Sequence, residues 1–574
     1  MAVERIPGLS VTVERDVPCG MRDGVTLYAD VYRPADGGPH PVLLISHPYD
    51  KTVALSNFGY AHPSFYARHG YVVVAQDSRG RYRSEGTFYP FVDEAGDLST
   101  TIAWARRLPG ADGQVATYGF SYAGLNQLLA AQLRPEGLAT VSPAFTAGRP
   151  YAEWFYNQGA FALAFAASWA NYLALDVAAR RLDDTALASL SAGLANALNL
   201  YWVLPLTAHP PLAGGDAPYY FDWLAHPTHD DYWRRFDVDY GLIEVPALHV
   251  GGWWDVFVRG TVRSFAALRR EGRAPQKLVI GPWHHMPWVP LGGATGDVGA
   301  WVVDDWQLRW YDHFLKGRDT GVLDSPVTVY VMGAGWRDLD DWPPSLTRPE
   351  DWYLHSGGRA QSAFGDGTLS TEPPRDEPPD VWVYEPGLPA MSVGGHSCCM
   401  ESITPMGPAD QRQVEATKLV LVYTSAPLER DLELVGDVRA TIYAASSALD
   451  TDFTSKLCVV DESGRSTNVV EGIVRARYRE SATEPTLIKP GEVYEYRIEL
   501  GPVGIRVPAG HRLRVQVASS DFPQFDRNLN TGGPIGTEGP SAMRSATQVV
   551  LHNEAYPSRI MLPVFRQTAG SLAR

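Results

Sequence analysis

Residues 115–133 constrain this chain more than any other stretch: V-A-T-Y-G-F-S-Y-A-G-L-N-Q-L-L-A-A-Q-L. A short apolar run (Val115, Ala116, Tyr118) follows Asp112-Gly113 and reads as a buried strand. Helix-forming residues take over from 125 to 133. Between the two stands Ser121, with Gly119 before it and Gly124 three positions after. A serine on such a strand-to-helix turn is a nucleophile elbow. Small neighbours let the backbone bend sharply, and the first N–H groups of the helix face any oxyanion formed there. Ala123 takes the place of the second glycine in the usual G-x-S-x-G, a mild departure because alanine is also small.

The flanks of the elbow alternate strand and helix patterns. Met21 to Val25 reads as a hairpin turn into the alternating stretch 27–32. Residues 42–46 and 71–75 are continuous apolar runs, suited to strands covered on both faces. Residues 94–107 read as a helix and 138–141 as the next strand. This order predicts an α/β fold with a mostly parallel sheet and helices on both sides, as in α/β-hydrolases. From 151 to 240 the periodicity becomes helical and aromatic-rich, as expected of a cap inserted after a sheet strand. The most apolar stretch, 159–175, is expected to be a buried helix and not a membrane span. Strand runs return at 245–250 and 277–280, a helix covers 304–315, and 327–332 reads as the last strand. Beyond about Trp352, short alternating segments at 419–423, 438–444, 456–460, 493–500 and 513–517 predict an antiparallel β-sandwich of jelly-roll type. The expected blocks are 1–148 and 242–350 for the hydrolase domain, 149–241 for the helical cap and 351–574 for the sandwich.

A net charge of −16 argues against a nucleic-acid partner, which usually calls for a basic stripe, and none is expected. No basic and apolar leader opens the chain between Met1 and Glu14, so a cytoplasmic protein with no membrane partner is expected. Cys19, Cys398, Cys399 and Cys458 have neither zinc-site nor disulfide-framework spacing, and the adjacent pair is expected as reduced thiols.

A nucleophilic serine needs a base within reach and a carboxylate to orient that base. In this fold the order is Ser, then Asp or Glu, then His, each beyond the end of a strand. The two strands after the cap run into Gly251-Gly252-Trp253-Trp254-Asp255 and Gly281-Pro282-Trp283-His284-His285. Asp255 is the candidate orienter, and His284 and His285 compete as base. Adjacent histidines diverge and no third ligand is near in sequence, so no metal is expected.

Further stretches match a known family across nearly the whole chain: M-R-D-G-V at 21–25, D-V-Y-R-P at 30–34, P-Y-D-K at 48–51, Q-D-S-R-G at 76–80 and S-E-G at 84–86. G-F-S-Y at 119–122, G-G-W-W-D at 251–255, G-P-W-H-H at 281–285, W-Y-D-H-F-L-K-G at 310–317, D-T-D-F at 450–453 and F-P-Q-F-D-R-N at 522–528 also match. The chain resembles the family of cocaine esterase, X-prolyl dipeptidyl-peptidases and α-amino-acid ester hydrolases, and within it the cocaine esterase branch. The resemblance implies a serine hydrolase with Ser121 as nucleophile, Asp255 as orienter and His285 as base. It also makes the Tyr49 hydroxyl and the Tyr122 N–H the oxyanion donors.

By the same resemblance, Trp154, Trp169 and Phe257 enclose an aromatic acyl group. Phe257 and Val258 stand where the amino-acid ester hydrolases carry acids. Residues 394–399 lie where the sandwich reaches back to the acyl pocket, with the small Ser397 and Cys398 in place of bulky apolar residues. The expected activity is that of a cofactor-free carboxylesterase with a small-molecule ester substrate and an acyl-enzyme intermediate. A homodimer is compatible with this. The rivals are an X-prolyl dipeptidyl-peptidase, with Glu153 as the acid for a free N-terminus, and a catalytically silent carbohydrate-binding protein.

Overall fold

The computed structural model describes residues 3–5, 10–53, 61–286, 301–399 and 406–566. The reading of the opening segment rests partly on residues 1–2 and 6–9, which lie outside them.

In chain order the first strands are β1 (Val3–Arg5), β2 (Val11–Gly20), β3 (Thr26–Pro34), β4 (His40–His47), β5 (Val72–Asp77), β6 (Ala111–Phe120) and β7 (Leu138–Ala144). After the short pair β8 (Tyr156–Asn157) and β9 (Ala160–Phe161) come β10 (Ala247–Trp254), β11 (Gln276–His284), β12 (Val327–Val331) and β13 (Gly335–Leu339). Eleven of them form one sheet in the order β1-β2-β3-β5-β4-β6-β7-β10-β11-β12-β13. The run from β5 to β12 is parallel, and antiparallel strands finish both edges.

The continuous apolar runs follow from this layering. Val42, Leu44, Val72 and Val74 pack on one face with Leu98 and Ile102 of the helix Glu94–Ala105. Leu43, Ile45, Val73 and Ala75 pack on the other with Trp310 and Tyr311 of the helix Trp301–Lys316. Side chains alternate between faces, so both parities must be apolar. One expectation needs correction: the strand at 327–332 is not the last of the sheet. β13 turns back through Gly333, at φ 76°, and pairs antiparallel with β12. Its half-exposed residues lack the apolar pattern that marks an inner strand.

Between β7 and β10 the chain is mostly helical, with helices Leu163–Arg180, Asp184–Ala195, Ala197–Tyr201, Pro218–Ala225 and Asp231–Arg234. Their aromatic core is continuous with the helix Tyr122–Ala131, all ten residues of which are buried between sheet and cap. Of the apolar stretch 159–175, the part from Leu163 on is the expected, largely buried helix, whereas Ala160–Phe161 forms β9 instead, paired with β8. Among the described residues no helix is long and apolar enough to cross a membrane.

From Thr347 onward a second eleven-stranded ladder closes around an aliphatic core that includes Leu354, Leu421, Ile442, Leu457, Val470, Ile498 and Val515. Most pairings are antiparallel, and Thr368–Ser370 beside Leu421–Ser425 is a parallel exception. This β-rich unit is fastened to both other parts. Asp526 accepts from the Phe161 N–H at 2.9 Å while its carboxylate also holds the fully buried Arg475, itself paired with Asp452. Asn528 donates to Asp450 and Asp452. His396 shares a 2.7 Å hydrogen bond with the Trp253 carbonyl at the end of β10.

Candidate active site

At the end of β6 the backbone turns through Ser121 at φ 58°, a left-handed conformation that is rare outside glycine. The strain is held by neighbours. The Ser121 N–H donates to the Ala144 carbonyl at 2.9 Å, and the Thr146 hydroxyl donates to the Ser121 carbonyl at 2.7 Å. Gly119 has no alternative, because a Cβ there would stand 2.6 Å from the Ala123 methyl. That also explains the altered motif: the bare Gly119 leaves room for a methyl at 123.

β10 and β11 deliver the other two groups through an irregular register. Gly252 pairs with Gly281, but Trp254 pairs with His284, so β11 carries one extra residue between the two pairs. An unbroken register would set Asp255 opposite His284, and the bulge sets it opposite His285 instead. Pro282 lies in the bulge, the position within a sheet that proline tolerates. Gly252 fits the close approach, since a Cβ there would lie 2.2 Å from the Trp283 carbonyl oxygen.

His285 Nδ1 is 2.8 Å from Asp255 Oδ1, and its Nε2 is 3.1 Å from Ser121 Oγ. All three residues are buried. His284 turns away: its Nδ1 accepts from the Met286 N–H at 2.9 Å, and burial, with His285 adding to it, lowers its pKa to about 4. Phe257 lies edge-on to the His285 ring at 5.1 Å. A hydroxyl bonded to an imidazole that is bonded in turn to a buried carboxylate can pass its proton along as the oxygen attacks an electrophile.

Tyr49 follows β4 in a loop clamped on both sides. Its N–H donates to His47 Nδ1 at 3.3 Å, Asp50 sits at φ 72°, and the Lys51 N–H donates to Asp77 at 2.7 Å. The fully buried Arg81 donates to the Pro48 carbonyl and to the Leu173 carbonyl of the cap. The Tyr49 phenol accepts from the Trp169 indole N–H at 3.1 Å, and burial raises its pKa well above the ordinary phenol value. Tyr122 opens the next helix, so its N–H belongs to the first turn, which has no intrahelical acceptor. Its phenol is bonded to Glu94, whose carboxyl is pushed up to about 8 by burial.

Ser121, His285 and Tyr49 open onto a cavity of about 240 Å³ lined also by Phe120, Phe165, Ser168, Trp169, Tyr172, Leu194, Met286, Cys398 and Cys399. Of the three aromatics expected around the substrate, Trp169 lines it. Trp154 and Phe257 stand behind the wall, their rings 4.2 Å apart, with Trp154 on a smaller neighbouring cavity. No acid is among the described residues lining the main cavity. Glu153 is sealed beside Arg263 and the Arg149 N–H, on the smaller cavity.

The sequence reading missed Phe165, Ser168 and Tyr172. They share one face of the helix Leu163–Arg180 with Trp169, at the i, i+3, i+4, i+7 spacing, which was there to be read. It also expected Cys398 and Cys399 as reduced thiols, whereas the structure bonds them to each other. Cys399 has φ 75°, which brings successive side chains, opposed in extended chain, to the same side.

Comparison with known proteins gives the chain a family and relatives of the same fold. Residues 23–287 match the X-Pro dipeptidyl-peptidase (S15 family) model, and residues 320–561 match that of the X-Pro dipeptidyl-peptidase C-terminal non-catalytic domain. The chain is 36% identical to cocaine esterase of Rhodococcus sp. (strain MB1 Bresler), over 97% of its own length and 99% of the relative's. The solved structure of an α-amino-acid ester hydrolase superposes with a TM-score of 0.83 at 25% identity, covering 98% of both chains. An aminopeptidase from a marine sediment archaeon, Thaumarchaeota archaeon, gives 0.82 at 24% identity, covering 99% of this chain and 98% of that one, and shows the same fold. The chain belongs to the S15 family of α/β-hydrolase-fold serine hydrolases, to which it is joined by its similarity to cocaine esterase along nearly its whole length.

Proposed function

We propose that the protein is a serine carboxylesterase. Ser121 attacks the ester carbonyl, His285 takes the proton and returns it to the leaving alcohol, and Asp255 holds the imidazole. The Tyr49 hydroxyl and the Tyr122 N–H donate to the tetrahedral oxyanion, and water then releases the acyl group. The observation that carries this reading is the Ser121–His285–Asp255 hydrogen-bonded line opening on an apolar cavity with no acid among its described lining residues.

The cavity supports an aromatic or similarly bulky acyl group, since about 150 Å³ of apolar space can hold benzene. Trp169 and Phe165 offer stacking surface for it. Among the described lining residues an α-ammonium would find no counter-charge for its lost solvation, which disfavours dipeptidyl-peptidase action. The similarity to cocaine esterase points the same way.

The test is kcat/KM on aryl benzoates against Ala-Pro anilides. The benzoate is expected to win by at least about 100-fold, the scale of about 3 kcal/mol of lost charge solvation. A faster anilide overturns the proposal.

A further inference from the structure

Cys398 and Cys399 come from the β-rich unit, more than 110 positions from His285, yet their sulfurs and a ring nitrogen of His285 lie within 4.8 Å of one another. His285 Nδ1 is engaged by Asp255, so the nitrogen that faces the cavity is Nε2, beside Ser121. Both cysteines line the same cavity as Ser121. We propose that, once the Cys398–Cys399 bond is reduced, the two thiolates and His285 Nε2 form a site for a thiophilic divalent cation such as Zn²⁺ or Cd²⁺, and that an ion held there blocks hydrolysis.

The chemistry is balanced in two steps. A phosphine reductant is oxidised to its oxide with oxygen from water, while each sulfur gains an electron and a proton. A divalent ion then displaces one proton from each thiol and takes the lone pair of the neutral imidazole, leaving the fourth position to water. Zn–S and Zn–N bonds of about 2.3 and 2.0–2.1 Å in a tetrahedron put the ligand atoms about 3.5–3.8 Å apart, so the two sulfurs, freed from each other by reduction, must part to about 3.8 Å while each closes on the imidazole by no more than about 1.3 Å.

Three features favour the site. Two sulfurs and an imidazole suit a thiophilic ion, and such S/N sets select Zn²⁺ and its heavier relatives over Mg²⁺ or Ca²⁺. The Asp255 carboxylate already bonds the far nitrogen of His285, the support that metal-bound histidines usually have. Finally, the cavity gives an ion a way in, while Cys398 itself is buried against competing ligands. The Ser121 proton would then have no acceptor, since the metal holds the lone pair that should take it.

The experiment uses the whole protein, reduced with a phosphine and then freed of it, and the same protein unreduced. Cd²⁺ is titrated while thiolate-to-metal charge-transfer absorption and hydrolysis of a chromogenic aryl ester are followed together. The reduced protein is expected to bind one equivalent, with absorption rising as hydrolysis falls, and the unreduced protein to do neither. In the Cys398→Ser/Cys399→Ser double variant, affinity for Cd²⁺ is expected to fall by at least about 100-fold, at or beyond the upper end seen for loss of supporting groups alone. Each variant is scored against its own metal-free rate. His285→Ala is read by absorption only: it should weaken binding, whereas His284→Ala should not. Reduced protein without the absorption, or equal inhibition of the double variant, overturns the proposal. The absorption readout stands whatever ester the enzyme turns over.

Discussion

Ser121, His285 and Asp255 stand at the ends of strands in a single sheet, whereas the rest of the cavity, apart from their neighbours Phe120 and Met286, is assembled from three separate parts of the chain. Tyr49 comes from a loop after β4, Phe165, Trp169, Tyr172 and Leu194 from the cap, and Cys398 and Cys399 from the β-rich unit. The first group is over-determined by backbone: hydrogen bonds hold the strained serine, glycines allow the close passages and one bulge chooses the histidine. The second depends on side-chain packing between units. A sheet fixes positions along its strands, while a packed wall can change residue by residue without disturbing the fold. The chemistry is therefore expected to be brittle and the specificity adjustable.

The sharpest way to break this contrast is at the floor. Ser121→Ala should remove about 10⁶-fold in kcat with unchanged thermal unfolding, because alanine meets the same backbone demands as serine. His285→Ala should approach that loss, while His284→Ala, whose ring faces Met286, keeps most activity. Kinetics on the three purified variants check this, and a dead His284→Ala with an active His285→Ala would refute the assignment.

Tyr49 lies between the two classes, held by a loop but acting from the wall. Tyr49→Phe keeps the ring packing, deletes one donor and takes the acceptor from the Trp169 indole N–H, so kcat should drop about 10²–10³-fold with KM changed only a few-fold. An unchanged kcat would return Tyr49 to the wall. A wall residue proper should behave otherwise. Trp169→Ala is expected to cut the preference for benzoyl over acetyl esters by about 10–200-fold while acetyl ester turnover persists, measured as the ratio of kcat/KM values. An equal loss on both esters would mean that Trp169 serves the floor through its bond to Tyr49.

The smallest effect concerns stability. Glu94 is held protonated up to about pH 8 by burial, while in the unfolded chain a glutamate loses its proton near 4.5. Between those values the folded state binds the extra proton, so stability falls as pH rises, on the order of 1 kcal/mol per pH unit at most. Glu94→Gln keeps a neutral partner for the Tyr122 phenol and should flatten that decline, seen as a smaller drop in Tm from pH 5 to 8. A Tm profile parallel to that of the parent protein would show that Glu94 is not the group responsible.

The floor was legible because each of its residues follows a local signal: an apolar run, then glycines, then the functional side chain. The choice between His284 and His285 was not local. It depended on the register between β10 and β11, for which Pro282 was the only mark in the sequence. The continuous apolar runs at 42–46 and 71–75 gave the buried strands, but half-exposed β13 carried no pattern to read. The walls were harder, because hydrophobic periodicity reports burial without saying whether a side chain meets core or cavity. Trp154 and Trp169 are both aromatic cap residues, yet only Trp169 reaches the cavity. The union of Cys398 with Cys399 depends on a left-handed backbone at 399, which no neighbouring residue type announced.

The fastening of the β-rich unit has a consequence in time. His396 grips the end of β10, Cys398 and Cys399 close one side of the cavity, and Asp526 secures the cap. Ser121, Asp255 and His285 leave the ribosome long before any of these. A nascent chain thus carries the three groups proposed to react for some 240 further residues, from His285 to Asp526, before the cavity beside them is walled. Synthesis itself postpones completion of the site, and a transcript cut short between His285 and Asp526 yields the groups without their finished chamber.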